Sequence, residues 1–359
     1  MITILGMSGG PDSRIFRQRL LCWFHANARE LPWRRSRDPY AIWVSEIMLQ
    51  QTRVAAVLEH YARFMERFPA LEDLAEASED EVLAQWSGLG YYRRARMLRK
   101  AARFVAQQLN GRFPANAAEL RALPGVGEYT SAAIASIGFG EAVACVDGNV
   151  ERVLRRVKGW DEDAGTAAKV HAEAARLLDA ERAGDFNQAM MELGAMVCMP
   201  RGPRCGSCPL IELCATRGEH AVSEREQMRS KEATYALVRR ESKNREAEVL
   251  LERRPKSASL MPGMWELPPI GVAKALDQSA PEKNLGLDPV LTLRHSITNT
   301  NYYVTVHALD AKQAKALPKA ARRWVLINDL HALPLTGLAR KALKRLDAWP
   351  VRVGASSSM

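Results

Sequence analysis

The sequence lacks any long apolar run. No hydrophobic stretch approaches the roughly 20 consecutive apolar residues that a membrane-spanning helix requires. Residues 1–13 lack the basic segment and following apolar segment of a secretory signal, and no motif repeats at a fixed period. These absences argue against a membrane protein or a repeat protein, so we expect a cytosolic protein.

Cysteine is scarce, with six residues in a chain of 359. Cys22 and Cys145 stand alone, and we expect both to be core thiols. The other four lie within residues 198–214. In a reducing compartment, such bunching indicates a metal site rather than disulfides.

Positive charge is in modest excess, because 51 Lys and Arg outnumber 41 Asp and Glu and give a net charge of +10. This excess favours a polyanionic partner such as nucleic acid. Hydrophobic residues make up 47% of the chain, which suffices for a globular core, and the length suits two domains.

The apolar pattern changes once along the chain. From Ile15 to Arg217, apolar residues recur at the three- and four-residue spacing of helices. A polar linker is predicted at residues 218–232. Short β-branched or aromatic runs then favour strands at 233–238, 248–252, 302–307 and 323–327. The sequence therefore predicts a helical domain at 14–217 and an α+β domain at 233–350, with a loose tail at 353–359.

The bunched cysteines have the spacing of an iron–sulfur ligand set. Cys198, Cys205, Cys208 and Cys214 are separated by six, two and five residues, so four thiolates can converge on one 4Fe–4S cluster. Zinc is the alternative, although its sites usually contain two close Cys pairs and only Cys205 and Cys208 form one here. Arg201 and Arg204 would present positive charge on this loop for DNA phosphates.

A glycine-rich turn at residues 123–127 separates two helical segments. Gly125 and Gly127 permit close approach of another backbone and leave N–H groups at a helix start free to bind a phosphate. On its own, such a turn between helices is usually only a turn.

Seven motifs surround this hairpin in a fixed order. They occupy residues 31–34, 39–40, 43–52, 86–92, 94–96, 146–150 and 187–194. Together they resemble the MutY family of adenine DNA glycosylases, within the endonuclease III superfamily, over residues 14–215. The resemblance implies a mainly α helix-hairpin-helix fold, with a six-helix barrel module and a second helical module that holds the cluster.

The resemblance also implies catalytic residues. Glu46 would be the general acid toward adenine N7, and its apolar surroundings should raise its pKa. Asp147 would stabilise the sugar cation or bond transiently to it, with Asn149 orienting it. Glu46 could otherwise be an exposed helix carboxylate, and Asp147 or Asn149 could be an ordinary helix N-cap.

Tyr129 occupies the hairpin position at which strand-cutting relatives carry Lys. Because a phenol cannot form a Schiff base, we expect a monofunctional enzyme that stops at an abasic site. We expect Tyr129 to hydrogen-bond near the sugar or Asp147.

Adenine must be flipped out of the duplex before it can be cleaved. By resemblance, Gln51 and Tyr91 fill or wedge the gap. Arg34, Leu49 and Glu192 are expected to line the adenine pocket, although Leu49 could simply pack on an apolar helix face.

The carboxy-terminal domain resembles the Nudix-related lesion-recognition domain of the same family, through residues 260–268. The Glu-rich metal helix of a Nudix hydrolase is missing from 273–287, so no pyrophosphatase activity is expected. The lesion-sensing loop reads His-Ser-Ile-Thr-Asn at 295–299 instead of the family's His-x-Phe-Ser-His. Thr298 keeps a hydroxyl for contact with 8-oxoguanine, or is an ordinary turn residue.

These observations predict a base-excision-repair enzyme that hydrolyses the N-glycosidic bond of adenine opposite 8-oxoguanine or guanine in double-stranded DNA. We expect a monomer in the bacterial cytoplasm, associated with the nucleoid. A glycosylase-lyase like endonuclease III is disfavoured by Tyr129 and by the second domain. A non-catalytic DNA-binding module is disfavoured by Glu46 and Asp147.

Overall fold

The computed structural model describes residues 12–161, 165–219, 227–270 and 288–350. The expectations for residues 273–287 and 353–359, and for part of the linker at 218–232, lie outside the described residues. Contacts divide the chain into two compact units, residues 1–75 with 97–223 and residues 76–96 with 224–359. In the part of the chain that is described, no helix is long and apolar enough to cross a membrane.

The amino-terminal part is helical, as the apolar periodicity predicts. Its helices are α1 Ser13–Asn27, α2 Pro39–Leu49, α3 Val54–Arg67, α4 Leu71–Glu76, α5 Glu79–Trp86, α6 Arg93–Gln108, α7 Ala117–Arg121, α8 Glu128–Phe139, α9 Gly148–Lys158, α10 Ala167–Leu177 and α11 Ala183–Met196. Short 3₁₀ helices occupy Pro32–Arg34, Cys205–Ser207 and Ile211–Leu213.

One core of the first unit joins helices from distant parts of the sequence. Phe16 and Leu20 of α1 pack with Val153 of α9 and with Phe186 and Leu193 of α11. Each of these side chains is almost fully buried. This packing joins the first helix and the last helices of the helical part in one core.

Helix α2 is buried on nearly every side, because residues 40–48 are all buried. Asp38 caps its start by accepting a hydrogen bond from the Tyr40 backbone N–H at 3.0 Å, and Pro39 suits the first helical position. A helix that is apolar all round belongs inside a protein. Any polar side chain on α2 is therefore placed in a dry environment.

The helix-hairpin-helix is formed by α7, residues 122–127 and α8. Gly125 has φ +78°, and a Cβ there would lie 2.5 Å from the Met97 Cβ, so this position needs glycine. Gly127 has φ −93° and is the N-cap of α8, with nothing within 4 Å of an added Cβ. The two hairpin glycines thus differ: packing requires the first, whereas the second faces open space.

The second unit is built on a six-stranded sheet with the order β3-β2-β1-β5-β4, and β6 also pairs with β2. The strands are β1 Arg229–Glu241, β2 Ala247–Arg253, β3 Trp265–Glu266, β4 Leu291–Ile297, β5 Thr300–Leu309 and β6 Arg322–Leu326, followed by α12 Gly337–Arg345. Strands β1 and β5 are parallel and the other pairs are antiparallel. The α+β prediction is confirmed, although β1 begins at Arg229, inside the predicted linker.

Successive side chains of β1 point alternately into two apolar layers, one on each face of the sheet. Tyr235 and Leu237 pack with Val304 and with Leu343 of α12 on one face of the sheet. Val238 packs in a smaller cluster on the other face. Because side chains alternate along a strand, one strand contributes to both layers.

Residues 76–96 pack within the second unit, although the sequence placed them in the helical domain. The Asp80 carboxylate accepts two hydrogen bonds from Arg253, at 2.7 and 2.8 Å. The hydroxyls of Ser87 and Tyr92 donate to the Leu335 carbonyl, at 2.8 and 3.3 Å. The loop that carries Tyr91 is therefore attached to the carboxy-terminal fold.

We expect Gly184→Ala to destabilise the protein. A Cβ at Gly184 would lie 2.7 Å from the Ser136 carbonyl oxygen and 2.9 Å from the Ile137 Cα, which are backbone atoms of α8 that cannot swing aside. Overpacking of this kind costs about 1–3 kcal/mol, more than the roughly 1 kcal/mol by which Ala favours a helix over Gly. Urea denaturation should show a lower midpoint.

Gly138→Ala is the matched control, since it also replaces a helical glycine but its added Cβ would lie at ordinary contact distances of 3.4 Å or more from Pro39 and Ile42. That variant should unfold at the wild-type midpoint or above it. Equal midpoints for both variants would contradict the assigned close packing of α8 and α11.

Candidate active site

The carboxyl group of Glu46 is buried together with the apolar side chains of α2. Glu46 is 6% exposed, and its Oε2 accepts a hydrogen bond from the Tyr129 hydroxyl at 2.7 Å. Burial raises the pKa of Glu46 to about 7, which the Tyr129 hydrogen bond partly counteracts; the charge of Asp147 raises this pKa further and that of Arg34 lowers it. The alternative of an exposed helix carboxylate does not hold for this residue.

Asp147 is both a helix cap and a neighbour of Glu46. Its Oδ1 accepts hydrogen bonds from the backbone N–H groups of Asn149 and Val150, at 2.9 and 2.8 Å. Its Oδ2 accepts from the Asn149 side-chain amide at 2.7 Å. Asp147, not Asn149, is the N-cap of α9, and the three donors fix its carboxylate in one orientation.

Arg152 extends the hydrogen bonds of Asp147 and Asn149. The sequence did not identify this residue. Its Nη2 donates to the Asn149 Oδ1 and to the Gly194 carbonyl, and its Nε donates to the Cys198 carbonyl, each at 2.8 Å. The spacing of three residues between Asn149 and Arg152 on one helix was the available signal. The turn that carries Asp147 is thereby linked to the first cysteine of the loop.

Gly194 permits this arrangement, because α11 and the start of α9 approach closely there. A Cβ on Gly194 would lie 2.5 Å from the Asn149 Cβ and 3.1 Å from its Cα. The glycine at the end of the motif at 187–194 therefore has a packing reason.

Tyr129 lies in the first turn of α8 among several polar groups. Burial and the nearby charge of Glu46 raise its pKa well above the usual value, so the phenol keeps its proton at neutral pH. The Met191 Sδ lies 3.1 Å from the same hydroxyl and is a second possible acceptor for its single proton. The buried Cys145 thiol donates to the Tyr129 carbonyl at 3.6 Å, and Cys145 is the core thiol that was expected.

Asn187 fixes the chain before Asp147, another contribution that the sequence did not reveal. Its amide donates to the Ser136 hydroxyl and to the Val143 carbonyl, both at 2.9 Å. Its carbonyl oxygen accepts from the Cys145 backbone N–H at 3.1 Å. A buried amide with three partners holds α8, α11 and the segment before Asp147 together.

Arg34 and Glu192 are brought together by an ion pair of 3.0 Å. Arg29, which the sequence did not single out, also binds Glu192, with contacts of 2.6 and 2.7 Å. Burial alone would raise the pKa of Glu192, but hydrogen bonds from the two guanidinium groups outweigh it and lower the pKa to about 2. With its oxygens engaged, Glu192 is arranged to position Arg34, and its direct contact with adenine stays a prediction.

The three non-glycine residues expected to contact DNA share an unusual backbone conformation. Gln51, Tyr91 and Thr298 have φ of 54°, 46° and 51°, a left-handed region that side chains disfavour, Thr most of all. Such strain is common at functional sites. Among the described residues, five other non-glycine residues also adopt it, so the conformation alone does not identify a DNA contact.

Gln51 and Leu49 lie at the end of α2. Gln51 is exposed and follows the C-cap Gln50, whereas Leu49 is half-buried. Within the second unit, Tyr91 is 46% exposed, and the Arg94 guanidinium lies 5.3 Å from its ring centroid.

Thr298 lies in the tight turn between β4 and β5. It is exposed, and its hydroxyl donates to the Ile297 carbonyl at 2.7 Å. Beside it, the Ser296 hydroxyl donates to the Asn301 side chain at 2.7 Å. His295 lies near Gly337 of α12, and burial lowers its pKa.

The four clustered cysteines border one cavity together with Arg156. All four are free and partly buried. The Arg156 guanidinium is 3% exposed and donates to the Cys198 Sγ at 3.4 Å and to the Met199 carbonyl at 2.7 Å. Among the described residues, the Arg156 Nε has no hydrogen-bond partner. Cys22, in contrast, is exposed on α1, so its prediction as a core thiol was wrong, because it lies on the outward face of that helix.

Residues 44–179 match the HhH-GPD superfamily of base excision DNA repair proteins, and residues 234–345 match the NUDIX domain. Human adenine DNA glycosylase is 35% identical over 402 residues, covering 92% of this chain and 73% of the human protein. The rat adenine DNA glycosylase is 49% identical over 215 residues, covering 56% of this chain and 42% of the rat protein. A solved thermostable thymine-DNA glycosylase is 32% identical with a TM-score of 0.54, covering 57% of this chain and 96% of that one.

The match to the human protein extends over most of both chains. It includes the helical part with Glu46 and Asp147 as well as the carboxy-terminal sheet. The chain therefore belongs to the adenine DNA glycosylase family, base excision repair enzymes of the HhH-GPD superfamily that here carry a Nudix-like carboxy-terminal domain.

Proposed function

We propose that this adenine DNA glycosylase removes adenine opposite 8-oxoguanine, or opposite guanine, from double-stranded DNA and leaves an abasic site. One observation carries the mechanism: the buried Glu46 has a pKa of about 7, and the capped carboxylate of Asp147 is near enough for its charge to raise that pKa. Two carboxyl groups in such different environments divide the work of an acid and of an anion.

Glu46 is the general acid. Its neutral form is favoured by burial, so the carboxyl can protonate N7 of a flipped adenine and make the base a better leaving group. Arg34, held by Glu192, lies close enough to influence the charge of Glu46. Leu49, Arg34 and Glu192 form the wall of the proposed adenine pocket.

Asp147 supplies the negative charge. As the glycosidic bond breaks, positive charge develops on the sugar, and a nearby carboxylate stabilises it electrostatically or by a transient bond. Asn149 keeps the carboxylate oriented through its amide. Water then completes the hydrolysis.

The reaction ends at the abasic site, because Tyr129 offers a phenol where a lyase needs an amine. This argues against a glycosylase-lyase like endonuclease III. Tyr129 instead holds the acid through its hydrogen bond to Glu46.

DNA is held through its backbone and opened by side chains. The hairpin offers the unpaired N–H groups of the first turn of α8 to a phosphate, and the open space at Gly127 permits close approach. Gln51 and the exposed Tyr91 are proposed to fill or wedge the gap that the flipped adenine leaves.

We propose that the cysteine loop binds a 4Fe–4S cluster, with Cys198, Cys205, Cys208 and Cys214 as its ligands. Among the described residues, no three Cys, His, Asp or Glu side chains are grouped closely enough to hold a single metal ion, although all four thiols border one cavity. Four sulfurs spread around a cavity suit a larger group better than one zinc ion.

The charge of Arg156 supports the same assignment. A buried guanidinium needs a negative partner, and within the described ranges Arg156 has no carboxylate ion pair but does contact the Cys198 sulfur. When bound, the cluster would supply a rigid, negatively charged centre around which the loop is ordered. Arg201 and Arg204, both exposed, are then available for phosphates.

We expect adenine release to depend on the protonation of Glu46. Because its pKa is about 7, the acid form predominates below pH 7 and is lost above it. Single-turnover rates should therefore fall by about tenfold per unit well above pH 7. Glu46→Gln should keep duplex binding, lose at least about 100-fold in rate and lose this pH dependence.

The control is Glu66→Gln, which alters an exposed carboxylate of α3. It should reproduce the wild-type pH profile. Wild-type turnover by Glu46→Gln would show that another group is the acid.

Metal analysis should find about four iron atoms per chain and a broad visible absorption that gives a brown colour. Cys208→Ser should lower the iron content and the absorption together. Colourless protein with one zinc ion per chain would contradict the cluster assignment.

Thr298 is expected to recognise the lesion. Its hydroxyl proton is directed to the Ile297 carbonyl, so its oxygen remains an acceptor for the N7–H that 8-oxoguanine has and guanine lacks. Thr298→Ala should slow adenine removal opposite 8-oxoguanine by about fivefold, the value of one hydrogen bond, and leave removal opposite guanine unchanged.

Thr298→Ser provides the comparison, since it keeps the hydroxyl and should retain lesion preference. Equal losses of Thr298→Ala on both duplexes would point to a defect in folding or docking. That result would remove Thr298 from the recognition site.

A further inference from the structure

Two acceptors compete for one proton beside the general acid. The Tyr129 hydroxyl lies 2.7 Å from the Glu46 Oε2 and 3.1 Å from the Met191 Sδ. A hydroxyl has a single proton to donate, so it cannot satisfy both atoms at once. Within the described part of the chain, the Tyr129 hydroxyl has no third hydrogen-bond partner.

The protonation state of Glu46 decides between them. When Glu46 is ionised, its carboxylate accepts the Tyr129 proton. When Glu46 carries its proton on Oε2, which faces Tyr129, the carboxyl donates to the Tyr129 oxygen at the same distance. The phenol proton must then turn away, and the Met191 sulfur is the acceptor within reach.

We propose that Met191 is a positioning residue for the general acid: its sulfur accepts the Tyr129 proton when Glu46 carries its own proton on Oε2, and thereby stabilises the protonated acid. This inference rests on the proposed role of Glu46. Met191 acts only through Tyr129, and a thioether is suited to the task as a weak, uncharged acceptor.

Among the described residues around Glu46, no other group is placed to accept the Tyr129 proton instead of the Met191 sulfur. The groups that influence Glu46 are Asp147, whose oxygens are engaged by the start of α9, and the cation Arg34, which is a donor only. The Cys145 thiol donates to the Tyr129 carbonyl and does not reach the hydroxyl. A buried hydroxyl without an acceptor is costly, so removing the sulfur should penalise the protonated form of Glu46 selectively.

Met191→Leu tests the inference, since it keeps apolar volume and removes the acceptor. Single-turnover adenine release between pH 5 and 9 should show its basic limb shifted to lower pH by about 0.5–1 unit, the value of one hydrogen bond. Met191→Gln restores an acceptor oxygen and should return the limb toward its wild-type position.

Met190→Leu is the matched control, because Met190 is buried in the core of the first unit and makes no contact with Tyr129 among its described packing. Its limb should not move. Tyr129→Phe removes the donor that stabilises ionised Glu46 and should shift the limb upward, and adding Met191→Leu to that variant should cause no further shift.

Opposite shifts for Met191→Leu and Tyr129→Phe, and their loss of additivity, would support the inference. A uniform loss of rate in Met191→Leu without a shifted limb would overturn it, since that is the result of ordinary packing. Glu46→Gln separates the two hypotheses. If it is active, the acid is misassigned; if it is inactive and Met191→Leu is unshifted, only the role of Met191 fails.

Discussion

A carboxyl group inside a helix that is buried on every side must either be paired with a cation or keep its proton. Glu46 belongs to the second case, in which burial favours the protonated form. The nearby Arg34 guanidinium is held by Glu192, and the direct partner of Glu46 is a phenol, which donates a hydrogen bond but carries no charge. Burial therefore dominates and holds the pKa near neutrality. The apolar packing of α2 thus favours the protonated form of this carboxyl, which is what its proposed role as the general acid requires.

The second carboxylate is held by ordinary helix chemistry. Asp147 caps α9 with one oxygen and accepts the Asn149 amide with the other, so the same bonds that start the helix also aim the anion. Gly194 lets α11 approach Asn149, and Arg152 extends the polar chain to the Cys198 carbonyl. The N-cap role of Asp147 and its proposed catalytic role are compatible, because the bonds that cap the helix also fix the orientation of the carboxylate.

A left-handed backbone conformation occurs at Gln51, Tyr91 and Thr298, the exposed residues for which we propose a contact with DNA. A buried residue in the left-handed region would be compensated by packing, but Gln51, Tyr91 and Thr298 are exposed. Their conformations are imposed by their neighbours: the end of α2 for Gln51, the Leu335 contacts of Ser87 and Tyr92 for the loop of Tyr91, and a two-residue turn for Thr298. The loop at 295–299 differs in sequence from the family pattern, but it forms a tight turn and includes the Thr298 hydroxyl.

The sequence by itself determined the helical and α+β parts, the hairpin, the cysteine group and both candidate carboxylates, because periodicity, spacing and motif order are local properties of the chain. It also indicated that the apolar neighbours of Glu46 would raise its pKa. Only the tertiary structure decided which groups meet across long separations. Arg29 reaches Glu192 across 163 positions, Met191 reaches Tyr129 across 62, and Ser87 reaches Leu335 across 248. None of these pairs leaves a periodic signal, since a single hydrogen bond constrains two residues without constraining the sequence between them. The exposure of Cys22 and the packing of residues 76–96 with the second unit were missed for the same reason: which face of a helix is buried depends on what the rest of the chain places against it.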